Sequence, residues 1–159
     1  QGGTGSRSER EIQPEFFPDR CESGTPNAVG LAGLLAALQW LQNLGIDQIQ
    51  SHERSLCGLL LEGLSDIPGV ELYGPRDPAR QTATVGFNLR GVEPSTVGLR
   101  LDEEYNLLCR VGLHCAPSAH HTLGTFPDGC VRFGLGVFNT PGDIHQAVAA
   151  VLAIAQEVS

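Results

Sequence analysis

The sequence predicts an α+β domain in two layers, with helices covering one face of a small, mostly antiparallel sheet of about four strands. Three observations carry this. Apolar residues recur at helical spacing in four separate segments. Four short runs bounded by Gly, Pro and Asn read as strands. Those strands do not alternate strictly with the helices, as a parallel α/β sheet would require. A length of 159 residues supports one proper core and not two.

Residues 1–26 are rich in Gly, Ser, Pro and Glu without periodicity, so an extended arm is expected there and a single domain over 27–159. Asn27 is placed to cap a helix reaching about Asn43, on which Leu31, Leu34, Leu35, Leu38 and Leu41 share a stripe. Alanine and glycine fill much of its other side, which predicts burial on more than one face. Gly45 breaks that helix. A second runs from Ile46 or Asp47 to Leu64 or Ser65, with Ile49, Leu56, Leu60 and Leu64 aligned, and Ile67-Pro68-Gly69 stops it.

Val70–Tyr73 and Thr82–Leu89 are the first two expected strands. Pro94 opens a third helix, to about Tyr105, because its fixed φ and missing N–H suit a first helical turn. Leu107–Val111 and Cys130–Gly136 follow as strands. From Pro141 a last helix carries Ile144, Ala147, Val148, Val151, Leu152 and Ala155 on one face.

Composition narrows the function. Ten arginines against 18 acidic residues leave a net charge of −8, which offers no electrostatic footprint for nucleic acid and repels anionic membranes. No apolar run approaches the ~20 residues that span a bilayer, and the first residues do not read as a signal sequence. Cysteines stand at 21, 57, 109, 115 and 130 without a CxxC pair. Their pattern predicts a reducing, cytoplasmic setting, with Cys57, Cys109 and Cys130 as small buried hydrophobes.

Chemistry concentrates in Arg110-Val111-Gly112-Leu113-His114-Cys115-Ala116-Pro117 and in Val131-Arg132-Phe133-Gly134. The first sets a thiol beside a histidine in a loop bracketed by Gly112 and Pro117. A thiol is nucleophilic as its thiolate, which cationic and hydrogen-bonding neighbours favour. Cys115 is therefore the candidate nucleophile. His114 either moves a proton or orients its neighbour. Arg132, on a strand, suits a bidentate grip on a carboxylate, against the alternative of a surface ion pair. Arg110 has three readings: a substrate or cofactor contact, a tuner of the thiol, or an ion-pair partner of Asp102 or Glu103. His120 and His121 add imidazoles near Cys115, but the His-Cys-x4-His-His spacing matches no standard zinc pattern, so no metal is expected.

Together with Gly2-Gly3-Thr4-Gly5-Ser6, Pro18-Asp19-Arg20, Glu22 to Asn27, Leu123-Gly124-Thr125 and Phe138-Asn139-Thr140, these motifs resemble the cysteine desulfurases of the class V aminotransferase family. Those enzymes use pyridoxal phosphate (PLP) on the fold type I transferase scaffold. The resemblance covers nearly the whole chain, but only the C-terminal part of a family member. It implies the family's small domain, with residues 1–26 as an arm from the large-domain side. It implies Cys115 and His114 as catalytic residues, with Cys115 taking a persulfide from L-cysteine and releasing alanine. It also implies Arg132 and Arg110 as substrate-binding residues, a homodimer, and a sulfur-acceptor protein. Gly3, Thr4 and Thr25 would lie near the PLP phosphate, glycine amides being able to approach it closely.

Two departures qualify the resemblance. The family attaches PLP to a lysine, and this chain has none, so a separately inactive segment is expected rather than a complete enzyme. A stand-alone sulfur carrier or scaffold module is the alternative. Leu113 also stands where many desulfurases have a second histidine, which leaves selenocysteine lyase, cysteine-sulfinate or aminotransferase chemistry open.

Overall fold

The computed structural model describes residue 7 and residues 9–22 and 24–157. The chain divides into two compact units, Gln1–Gly45 and Ile46–Ser159.

In the first unit a short 3-10 turn, Asp19–Cys21, precedes helix α1, Ala28–Leu44. Asn27 caps α1 as its sequence position suggests: its side-chain oxygen accepts the Gly30 N–H at 3.0 Å, satisfying one of the free donors of the first turn. Gly45 ends it at φ +88, a conformation that costs a residue without Cβ little. The expected burial of α1 on more than one side is not met within this chain. None of its residues is buried, and Leu31, Leu34, Leu35, Leu38 and Trp40 are exposed. A Leu- and Ala-rich helix reports an apolar environment without saying which chain supplies it.

The second unit contains α2 (Ile46–Ser65), β1 (Val70–Tyr73), β2 (Thr84–Leu89), α3 (Pro94–Tyr105), β3 (Arg110–Gly112), α4 (Pro117–Leu123), β4 (Cys130–Gly134) and α5 (Pro141–Glu157). Its four strands pair antiparallel throughout in the order β1-β2-β4-β3. This is the predicted α+β class.

Alternation along the strands decides which face is buried. Val85, Phe87 and Leu89 of β2 and Val131 and Phe133 of β4 enter the core, where Leu56, Leu60, Leu64, Val97, Leu101, Ile144, Val151 and Ile154 of the helices meet them. Phe87 and Phe133 stack at 5.4 Å. Because side chains alternate with period two, Cys130 and Arg132 of β4 and Gly86 and Asn88 of β2 are turned to the other face. Asn88 helps fix the start of β4, donating to the Gly129 carbonyl at 3.0 Å and accepting the Val131 N–H at 3.3 Å.

The strands expected over 82–89 and 130–136 are shorter, Thr84–Leu89 and Cys130–Gly134, and three other features differ from the sequence reading. Helix α4 was not anticipated: its seven residues carry no apolar repeat, and only Pro117 at its first turn and Gly124 after its end mark it. The strand expected over 107–111 pairs only from Arg110 to Gly112. Asn106 closes α3 in the left-handed region at φ +54 and the Leu107 N–H bonds back to the Leu101 carbonyl at 2.8 Å, so the chain reaches β4 late. Cys109, expected to be buried like Cys57 and Cys130, is only half-buried for the same reason.

Candidate active site

Three of the predicted site residues lie on one short path, β3 and the turn that follows it. Gly112 sits at φ +98, and His114 and Cys115 follow at φ +51 and +59. The Ala116 N–H closes the turn onto the Leu113 carbonyl at 2.8 Å. Positive φ at both central residues is the geometry of a type I′ turn, which normally takes Asn or Gly. A β-carbon there costs about 1–2 kcal/mol per residue, so His114 and Cys115 hold this shape against their intrinsic preference. The turn leaves Cys115 exposed.

Arg110 reaches the thiol, its Nη2 lying 3.8 Å from Cys115 Sγ. Among the described residues it forms no ion pair with Asp102 or Glu103, the structural alternative the sequence left open. Across the ladder, Arg110 is directly paired with Arg132, which pairs on its other side with Gly86. Directly opposed residues share a face of the sheet. Two arginines thus share one face of the sheet, one of them at the thiol, and Gly86 contributes no side chain on the far side of Arg132. Neither arginine is in an ion pair among the described residues.

His114 turns its ring toward the sheet. Its Nε2 donates to the Cys130 carbonyl at 3.1 Å, which leaves Nδ1 bare, buried and without a hydrogen-bond partner. Burial first, and then the positive charge of Arg132, hold its pKa below the ordinary 6.5, the bond to Cys130 pulling weakly the other way. A neutral imidazole beside Cys115 follows.

The remaining thiols contrast with Cys115. Burial pushes Cys57, Cys109 and Cys130 above the ordinary thiol range, with Asp102 adding to the effect at Cys109. Cys21, in the first unit, is exposed.

One part of the neighbourhood escaped the sequence reading. His120 of α4 is buried, with Nδ1 2.7 Å from the Thr125 hydroxyl and its ring 5.7 Å from that of His114. Cys130 Sγ lies 3.5 Å from His114 Nε2. The spacing of His120 to Leu123-Gly124-Thr125 was a usable signal, since a helix ending at glycine brings the residue after it back over the last turn. His121, by contrast, is exposed and stacks on Phe126 at 4.0 Å. Thr25 is exposed in the first unit, and Gly3 and Thr4 lie outside the described residues.

Comparison with known proteins sets this geometry in a family. Residues 2–147 match the family model "Aminotransferase class-V". A probable cysteine desulfurase 2 of Mycobacterium leprae (strain TN) is 35% identical over 135 residues, covering 85% of this chain and 32% of that protein. The apo structure of the cysteine desulfurase from Thermococcus onnurineus NA1 superposes with TM-score 0.81 at 31% identity, over 88% of this chain and 34% of that one. The Escherichia coli cysteine desulfurase CsdA, in its S-sulfonic acid form, superposes with TM-score 0.78 at 30% identity, over 99% of this chain and 38% of that one. The chain therefore spans about a third of the length of its cysteine desulfurase relatives, and it belongs to the class V aminotransferase family.

Proposed function

We propose that the chain is the C-terminal segment of a PLP-dependent cysteine desulfurase, acting on L-cysteine with Cys115 as sulfur acceptor and Arg132 and Arg110 as carboxylate ligands. The observation that carries this is the cross-strand pair of arginines with a thiol 3.8 Å from one of them. Like charges held opposite one another are unfavourable unless an anion joins them. A carboxylate of an amino acid fits that demand, and a planar guanidinium binds it through two parallel hydrogen bonds.

The sulfur transfer balances without an outside oxidant. Cys115, as thiolate, attacks the sulfur of the substrate. The S–S bond forms as the substrate's C–S bond breaks, the electron pair staying with carbon, which takes a proton and leaves as alanine. Arg110 donates toward the attacking sulfur across 3.8 Å. His114, neutral and anchored to the Cys130 carbonyl, orients the turn. Bound PLP supplies the electron sink for this chemistry.

The residues of this chain fit the substrate side of that site and not the cofactor's attachment. All ten basic side chains are arginine, so no side-chain amine is present to hold PLP covalently. Covalent attachment must come from outside these 159 residues, and the chain alone is inactive on this reading. Residues 1–26 would act as the arm from the large-domain side and 27–159 as the small domain, in a cytoplasmic homodimer that passes sulfur to an acceptor protein. Gly3, Thr4 and Thr25 would face the PLP phosphate.

The missing lysine also favours a second reading, a carrier that accepts persulfide sulfur on Cys115 from another enzyme. The two separate in the protein with its PLP-binding portion. Cys115→Ser there should abolish transfer of sulfur to an acceptor while PLP absorbance persists. Release of alanine and sulfide at the wild-type rate by that variant would exclude the desulfurase assignment of Cys115.

A further inference from the structure

Behind the Cys115 turn, three potential ligands come from three separate segments: His114 from the turn, His120 from α4 and Cys130 from the first residue of β4. Their donor atoms all lie within 4.8 Å of one another. His120 and Cys130 are buried and His114 is partly buried. None of the three depends on the PLP portion, and Cys115 and His121 are not among them. The sequence had grouped Cys115 with His114, His120 and His121 and set a metal aside. The fold replaces that grouping by substituting Cys130, which no local spacing connects to His114.

The arrangement has features that a hydrophobic pocket would not need. His120 Nδ1 is 2.7 Å from the Thr125 hydroxyl; in the tautomer that carries its proton on Nδ1, the ring donates to that hydroxyl and offers the Nε2 lone pair to a metal. Metal-bound histidines are usually oriented in this way, by a hydrogen bond from the ring nitrogen that is not the ligand. His114 likewise anchors one nitrogen on the Cys130 carbonyl and keeps Nδ1 buried and unpartnered. A buried polar atom without a partner costs free energy. Cys130 belongs to a paired strand and His120 to a capped helix, so two of the three ligands are held by rigid elements.

The geometry points to a binding site for a thiophilic divalent cation of the Zn²⁺ class at His114, His120 and Cys130. One thiolate and two imidazoles form a donor set of intermediate softness, suited to zinc and unsuited to magnesium or calcium. At Zn–S of ~2.3 Å and Zn–N of ~2.0–2.1 Å, tetrahedral donors stand about 3.3–3.6 Å apart. Because Nε2 of His114 is held by the Cys130 carbonyl, the unpartnered Nδ1 is the nitrogen that this ring offers. The widest separation needs to close by roughly 1 Å. Binding replaces the Cys130 thiol proton, which passes to solvent, and three protein ligands leave a fourth position open. Occupancy ties down the ring that directly precedes Cys115.

The test uses the 159-residue chain, with Co²⁺ as a spectroscopic probe and Zn²⁺ as competitor. Wild type should take up one equivalent, show thiolate-to-cobalt charge-transfer absorption, and lose it on adding Zn²⁺. X-ray absorption of the zinc-loaded wild type should give one sulfur and two imidazole nitrogens, a result independent of any variant's folding. Cys115→Ser should keep the charge-transfer band and Cys130→Ser should lose it. Thr125→Val should weaken binding about 10- to 100-fold, as loss of an orienting hydrogen bond does. No uptake by wild type, a zinc shell without sulfur, a band that disappears in Cys115→Ser, or one that persists in Cys130→Ser would each overturn the site.

Discussion

Arg110 stands directly opposite Arg132 across the β3–β4 ladder, two cations in one cross-strand pair with no carboxylate between them among the described residues. Such a pair opposes folding, by about 0.2–1 kcal/mol relative to a neutral pair. Arg132→Gln should therefore raise the melting temperature of the chain at low salt, with the gain fading as salt screens the repulsion. In the protein with its PLP-binding portion the same change should lower kcat/KM for cysteine by ~30-fold or more, since removing a charge-assisted partner costs about 2–5 kcal/mol. Thermal melts at two ionic strengths and steady-state kinetics check the two halves. A variant less stable at low salt would show that Arg132 is satisfied internally.

Reactivity should separate the five thiols. Cys115 is exposed beside a guanidinium, whereas Cys57, Cys109 and Cys130 are pushed above the ordinary thiol range by burial. Limited alkylation followed by peptide mapping should label Cys115 first, ahead of exposed Cys21, which has no guanidinium hydrogen bond of this kind among the described residues. Arg110→Gln should slow labelling of Cys115 and leave Cys21 unchanged. Early labelling of Cys57, Cys109 or Cys130 would mean the turn is closed.

The depressed pKa of His114 has a definite sign in stability. Below 6.5 the unfolded chain takes up a proton that the folded ring resists, so the unfolded state binds more protons and stability falls as pH drops. The loss begins near 6.5 and is complete below the folded value. His114→Gln should flatten the stability profile between pH about 7.5 and about 5 in urea titrations. Glu104 and Asp143, lowered by Arg100 and by the Thr140 N–H, act in the same direction only below 4.5 and 3.8. The difference between wild type and variant therefore isolates the histidine. Parallel profiles would show that His114 titrates normally.

Gly129 should be among the least replaceable residues near the site. It has φ +80, and a β-carbon on it would overlap the Gly112 carbonyl, where β3 and the entry to β4 press backbone to backbone. Gly129→Ala should cost on the order of 2–4 kcal/mol from overpacking and left-handed strain together. It should also displace the turn, lowering Cys115 alkylation. Gly134→Ala, where no atom lies within 4 Å of the added carbon, is the control and should cost far less.

Much of this was readable from local pattern. Helices α2, α3 and α5 followed from apolar spacing, and the loop position of Cys115 from its Gly112 and Pro117 brackets. What was not readable is non-local or strained. The left-handed turn at His114 and Cys115 lacks the Asn or Gly that would announce it, because its shape is imposed by closure onto Leu113 and by the ring's anchor on Cys130. The meeting of His114 with His120 and Cys130 depends on the β3–β4 register, Gly112 opposite Cys130, which sequence spacing does not encode. The extent of β3 was set by how α3 ends, through Asn106, and not by the β-propensity of Leu107 and Leu108.

Helix α1 has a consequence for handling the chain in solution. It presents Leu31, Leu34, Leu35, Leu38 and Trp40 outward on a molecule of net charge −8. Mutual repulsion keeps such molecules apart at low ionic strength, while contiguous apolar surface draws them together once that repulsion is screened. Solubility should therefore decline with added salt instead of improving, and sulfate should act more strongly than chloride because it also strengthens apolar association. A single Leu35→Glu change, adding charge to that stripe, should raise the salt concentration at which light scattering first appears.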